Sequence, residues 1–169
     1  MESAIVVADT SVLINFLRID RMNLIGLHPQ RFLATDHVDV EITSAYPEQR
    51  TRYQRAVASG LLDTCSVVDP EEVELFLRLR PGERLGAGEC SALAVAIHRK
   101  YPIAIDDNRA VKRVVREIGA NVEVVKTVDV MVALIRAGKL DVAAADLIKE
   151  IWAQNHRFRI KTTSLQDLL

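Results

Sequence analysis

Short continuous runs of small and β-branched residues recur along this chain, each followed by a longer stretch whose apolar positions fall at helical spacing. That alternation constrains the fold more than any other feature. The strand candidates are residues 4–8 (AIVVA), 31–34, 64–68, 102–105 (PIAI) and 122–125. Most are apolar throughout rather than alternating, as strands covered on both faces are. The spacing predicts helices over 11–17, 37–46, 47–59, 70–79, 88–100, 108–118, 127–137 and 142–154. Strand–crossover–strand units are right-handed. Such an order therefore folds as a three-layer α/β/α sandwich around a mostly parallel central sheet of about five strands.

Local chemistry marks the boundaries. Asp69-Pro70 followed by Glu71 and Glu72 opens a helix, and Gly60, Gly119 and Gly138 each close one. Residues 80–88 (RPGERLGAG) form a loop before a strong helix. At 169 residues the chain can build a core without disulfides or a structural metal. No linker divides it: residues 1–140 are expected to form the domain, with 141–169 a helical extension and tail packed on it. The residues from Arg157 to the end show no clear period and read as a partly ordered tail.

The 22 Lys and Arg nearly cancel the 23 Asp and Glu, for a net charge of −1. A protein that grips nucleic acid by bulk charge is usually clearly basic, so any such contact here would rest on a local face. Cys65 and Cys90 form no CxxC pair and have no histidine at zinc-ligand spacing, which suits buried thiols in a reducing compartment. No apolar run approaches a membrane span, and Glu2 spoils a basic leader. The expectation is a cytoplasmic protein with no membrane partner.

In parallel α/β sheets the working groups gather beyond the carboxyl ends of the strands. Here those places hold carboxylates. Asp9 follows AIVVA and precedes Thr10 and Ser11; Asp106 and Asp107 follow PIAI. Glu89 falls in the first turn of a helix, and Glu41 lies in the stretch HVDVEITSAY, one turn after His37. None has a Ser-His or Cys-His arrangement beside it. Taken singly each has an ordinary reading: Asp9 or Asp106 as a helix cap, Asp107 and Glu89 as complements to a helix dipole, Glu41 as a solvated face residue. Taken together, clustered acids need a counter-charge, because like charges at close range drive a pKa upward. A hard cation such as Mg²⁺ or Mn²⁺ takes oxygen ligands, keeps several waters and assists hydrolysis of phosphate esters.

With these residues assembled, the sequence resembles the PIN domain family, in particular toxin ribonucleases of the VapBC type and their small bacterial and archaeal relatives. VVADTSVLINFL matches the first motif, HVDVEI the second, GAGECSALAVAIHRK the third and PIAIDDNRA the fourth, over about the first 140 residues. The resemblance implies a Mg²⁺- or Mn²⁺-dependent endoribonuclease with Asp9, Glu41, Glu89, Asp106 and Asp107 as catalytic residues. Asp9, Glu89, Asp106 and Asp107 would hold metal, and Thr10 or Ser11 would support Asp9 through a hydroxyl. It also implies an RNA substrate, a cognate antitoxin protein and a homodimer, for which SVLINFL offers an apolar face. Many relatives carry Asp where this chain has Glu89, and the Asp106-Asp107 pair leaves the fourth ligand open.

Arg109, Lys112, Arg113 and Arg116 fall at i, i+3, i+4 and i+7 and form one basic stripe that could track an RNA backbone, or simply face solvent. Arg50, Arg52, Tyr53 and Arg55, and the segment 156–161 (HRFRIK), mix basic and aromatic groups as nucleic-acid and protein contacts both do. His37 is close enough in sequence to reach Glu41, with a helix-surface role as its ordinary alternative; His28, His98 and His156 have no evident partner. A stand-alone RNA-processing enzyme and a non-catalytic PIN-like binding module are the competing readings. A phosphoacceptor receiver would place its paired acids after the first strand, and an Asp-x-Asp phosphatase is opposed by Ser11 in the second Asp position.

Overall fold

The structure, a computed structural model, describes residues 4–82 and 84–169; Glu2 and the Glu83 of the 80–88 loop lie outside the described residues. Five parallel strands form one sheet: β1 (Ile5–Ala8), β2 (Arg31–Thr35), β3 (Asp63–Cys65), β4 (Ile103–Ala104) and β5 (Val124–Val125). Their order is β3-β2-β1-β4-β5. Two strands succeed β1 on one side and two on the other, so the direction of winding reverses between β1 and β4. A crevice opens at the carboxyl ends of the strands at such a reversal.

The apolar runs are continuous because successive side chains serve two different cores. Val6, Ala8, Phe32, Ala34 and Ala104 enter one apolar layer, while Val7, Leu33, Ile103 and Ile105 enter the other. This is the period-two alternation of a strand with both faces buried. The first layer is covered by α1 (Thr10–Arg18), α2 (Met22–Leu27), α3 (Asp36–Ala45), α4 (Arg50–Ala58), α8 (Thr127–Arg136) and α9 (Val142–Asn155). The second is covered by α5 (Pro70–Leu79), α6 (Ala87–Arg99) and α7 (Arg109–Glu117). Burying each large apolar side chain contributes about 1.5–3 kcal/mol, so these two layers hold strands only two to five residues long.

Several expectations change. SVLINFL is no docking face: Val12, Leu13, Phe16 and Leu17 are wholly buried in the chain's own core, as α1 is sandwiched between the sheet and its neighbouring helices. α2 was not expected, since Gly26 interrupts a stretch too short to show helical period; Met22, Leu24 and Ile25 bury it. The third strand ends at Cys65, and Val68 beyond it is exposed. Cys65 itself is half-buried, whereas Cys90 is fully buried.

The final residues pack rather than trail. Trp152 of α9 meets Phe16 and Phe158 edge-on, each with centroids 5.4 Å apart, and its Nε1 donates to the Asn15 carbonyl at 2.8 Å. Asp146 accepts from Ser164 Oγ and the Leu165 amide at 2.7 and 2.8 Å, seating a 3₁₀ turn over Leu165–Leu168. Among the described residues no helix is long and apolar enough to cross a membrane.

Candidate active site

Asp9 follows β1 and caps α1, its Oδ2 accepting the Ser11 amide at 3.0 Å, while its own amide donates to the Ala104 carbonyl of β4 at 2.9 Å. The residue therefore sits at the reversal point, stitched to both central strands. Only 3% of it is exposed. Burial pushes its carboxyl above the ordinary range, against the opposing pull of the Ser11 hydroxyl and amide. Ser11 is thus the residue that supports Asp9, and its Oγ also accepts the Asp106 amide at 3.3 Å. Thr10 favours the charged Asp9 through its backbone amide alone, not through its hydroxyl. Its buried Oγ1 leans toward Glu41 enough to favour the charged form, yet completes no hydrogen bond and remains an orphaned polar atom.

Glu41 and Glu89 arrive from facing helices. Thr35 caps α3 through Val38 N–H, and its Oγ1 lies 2.6 Å from Ser91 Oγ of α6, a buried contact that docks the two helices at their upper turns. Gly88 makes the approach fit: a Cβ there would overlap Glu41 Oε2. Glu89 reaches back to accept the Gly86 amide at 2.8 Å, tying down the first turn of α6. Burial raises both glutamates; Asp9 adds to each, and Glu41 and Asp107 add further to Glu89. Asp106 is likewise raised by burial and by Asp9, with Thr127 and Lys126 pulling the other way. The acids named from sequence thus lie toward one end of the sheet, where Asp9 raises Glu41, Glu89 and Asp106, and Glu41 and Asp107 raise Glu89.

The two adjacent aspartates differ. Asp106 Oδ1 accepts Thr127 N–H at 2.8 Å, and Oδ2 accepts Thr127 Oγ1 at 2.8 Å and Asn15 Nδ2 at 2.9 Å. Both oxygens are engaged by the chain itself, and Oδ2 has both lone pairs occupied. Asp107 is 74% exposed on its side chain; its Oδ1 accepts a long bond from the Arg109 amide at 3.4 Å and lies 3.7 Å from Arg109 Nε. Asp106 accordingly does not cap α7, which begins after Asn108; it accepts the first amide of α8 and locks α1 and α8 to the end of β4. Asn15 and Thr127 were missed from sequence. A lone amide in an otherwise apolar run, one turn beyond Ser11, was the signal for Asn15; Thr127 became legible only through its spatial partner.

Other candidates sort by exposure. Arg109, Lys112, Arg113 and Arg116 line the outer face of α7 opposite buried Val111, Val114 and Val115, and Arg113 pairs with Glu117. The mixed segment on α4 is structural. Arg52 donates to the Leu17 and Arg18 carbonyls at the end of α1, Arg50 to the Thr43 carbonyl, Arg55 pairs with Asp20, and Tyr53 is wholly buried. In the segment 156–161 Phe158 packs on Trp152. His98 has partners after all, contacting Glu72 at 3.1 Å and Glu71 at 3.0 Å.

Among the described residues no three His, Cys, Asp or Glu side chains lie close enough to share one ion. An all-protein cage is not the arrangement that suits this corner. Mg²⁺ is usually held by one or two carboxylates and retains waters. Oxygen-only donors, mutual repulsion and the orphaned Thr10 hydroxyl fit a hydrated hard cation of that kind.

No curated protein matches the sequence. A family model described as PIN domain matches residues 5–169, which takes in the C-terminal helix and tail as well as the acidic corner. The chain belongs to the PIN domain family, a nuclease-type family whose enzymes typically use divalent metals.

Proposed function

We propose that this protein is a Mg²⁺- or Mn²⁺-dependent endoribonuclease, the toxin of a toxin–antitoxin pair, that hydrolyses RNA phosphodiester bonds at the Asp9 corner. The supporting observation is electrostatic: Asp9, Glu41, Glu89 and Asp106 are each pushed upward by burial at the sheet reversal, and Asp9 raises the other three. Clustered acids with raised pKa values in a crevice mark a candidate functional site. Asp9, Glu89 and Asp107 would hold the cation in part through its retained waters, since no three such side chains among the described residues lie close enough to share it directly, with Asp106 orienting the loop between them. A bound divalent ion supplies neutralising charge and a lowered pKa for water.

The chain's own groups do the rest. Ser11 and Gly86 fix the orientations of Asp9 and Glu89 through their amides. A water oxygen bonds to phosphorus as the bond to the leaving ribose oxygen breaks. Glu41, half-buried and raised, accepts the water's proton, and the leaving oxygen takes a proton from solvent water, whose hydroxide is neutralised as Glu41 gives up the proton it accepted. The exposed α7 stripe begins beside Asp107 and offers Lys112 and Arg116 to flanking phosphates. A cognate antitoxin and a homodimer complete the reading.

The test is incubation of purified protein with structured and unstructured RNA in Mg²⁺, Mn²⁺ or EDTA, alongside Asp9→Asn. Cutting that needs the metal and fails in Asp9→Asn is expected. Cutting indifferent to both would overturn the mechanism.

A further inference from the structure

Beside the acidic corner lies a groove of about 450 Å³ lined by Asp36, His37, Val40, Glu41, Ala87 and Gly88. That volume is in the range of small-ligand sites. It shares Glu41 with the carboxylate cluster, so a polymer engaged at the acids must place a neighbouring unit in or across it. The lining includes no lysine or arginine but two carboxylates, so a phosphate is repelled and an uncharged group is welcome. The groove also offers an apolar surface. Val40 is 62% exposed, and the His37 ring is backed by Phe76 with centroids 4.7 Å apart and planes tilted by 36°. Arg80 lies 5.9 Å from the Phe76 ring in turn. Asp36 Oδ1 accepts both the His37 amide and His37 Nδ1 at 3.0 Å, which fixes the ring and leaves Oδ2 without a partner among the described residues.

We propose that this groove is a nucleobase subsite: the base next to the phosphate held at the acids stacks on His37 and Val40, and its exocyclic amine donates to Asp36. The inference rests on the endoribonuclease reading and deepens it, since it assigns the contact that selects where the RNA is cut. Rings and apolar side chains accept any base face, whereas a carboxylate favours bases that present an amine. Adenine, cytosine and guanine are therefore preferred over uracil at this position.

The experiment compares the wild type, His37→Ala and His37→Phe. Sequencing the products of a mixed RNA pool defines the preferred base beside the cut, and kcat/KM is then measured on that RNA and on the same RNA abasic at that position. His37→Ala is expected to lose about tenfold or more on the intact RNA, the loss of one stacked base, and nothing on the abasic one; His37→Phe restores stacking and rate. Equal loss on both RNAs, or no loss, overturns the subsite. If the wild type cuts no RNA with either metal, the nuclease reading fails on its own, and the subsite is judged by binding. Quenching of a 2-aminopurine oligoribonucleotide that disappears in His37→Ala upholds it, and absence of quenching overturns it. Sedimentation of the protein alone that shifts in His37→Ala, with RNA handling unchanged, would assign the groove to contact between copies and likewise end the proposal.

Discussion

Gly88 of α6 lies directly against the carboxylate of Glu41 on α3, so closely that a methyl group at residue 88 would occupy the position of Oε2. The clash is with the far end of a flexible side chain, not with backbone. Gly88→Ala is therefore expected to leave the unfolding free energy within about 0.5 kcal/mol of wild type, since alanine also favours the helix. It should nevertheless lower RNA cleavage by about tenfold to a hundredfold, because a displaced catalytic group costs that much. Thermal unfolding and kcat/KM measured together check the split.

Asp9→Asn should separate stability from activity in the opposite direction. Asparagine keeps the capping bond to Ser11 and removes a buried charge. Because the folded carboxyl is raised above 3.8, the folded state binds its proton more tightly than the unfolded one. Its effect is a loss of stability as pH rises from that value through the folded pKa. The variant, in EDTA at neutral pH, is expected to melt higher, by about 2–4 °C if about 1 kcal/mol is recovered, while cleaving no RNA. A lower melting temperature would contradict the electrostatic account of the corner.

The adjacent aspartates should respond differently to truncation. Asp106→Ala strips acceptors from Asn15 and from the Thr127 amide and hydroxyl, at a cost of about 2–4 kcal/mol by urea unfolding. Asp107→Ala, at an exposed side chain, should cost under about 0.5 kcal/mol. If Asp107 serves the cation, its variant loses cleavage in spite of that stability, and raising Mn²⁺ partly restores it.

On the opposite layer, Glu72 has a side chain only 1% exposed and accepts Arg99 Nε at 2.6 Å and Arg99 Nη2 at 3.1 Å. Burial opposes its ionisation, but Arg99 and His98 prevail and hold its carboxyl below the usual value of 4.5. This contribution is complete above 4.5 and lost as pH falls through the folded pKa. His98 is raised by Glu72, so its smaller share is complete below 6.5 and fades as pH climbs through its folded pKa. Glu72→Gln is expected to cost about 1–3 kcal/mol at pH 6 and to flatten the acid limb of urea stability measured across pH.

Much of this was legible along the chain. Continuous apolar runs ending in Asp9 and Asp106 announced buried parallel strands with acids at their carboxyl ends, because a strand covered on both faces has no reason to alternate. The positive φ angles at Gly60, Gly119 and Gly138 bear out the three helix ends marked by glycine. The burial of SVLINFL, the docking of the tail by Asp146 and Trp152, and the structural duties of Arg50, Arg52 and Arg55 were not legible. Each depends on a partner 7 to 137 positions away, and no local period encodes such a partner.

Pattern and local propensity determined the fold class, the parallel sheet and the identity of the acids, since these follow from side-chain chemistry and periods within a single element. Only packing in three dimensions decided what each acid touches. The strand order that puts β4 beside β1, and the Thr35–Ser91 contact that draws α3 onto α6, determine which carboxylates repel one another and which is neutralised by hydrogen bonds. Solvation and Coulomb interaction depend on distance in space, and distance along a chain does not report it.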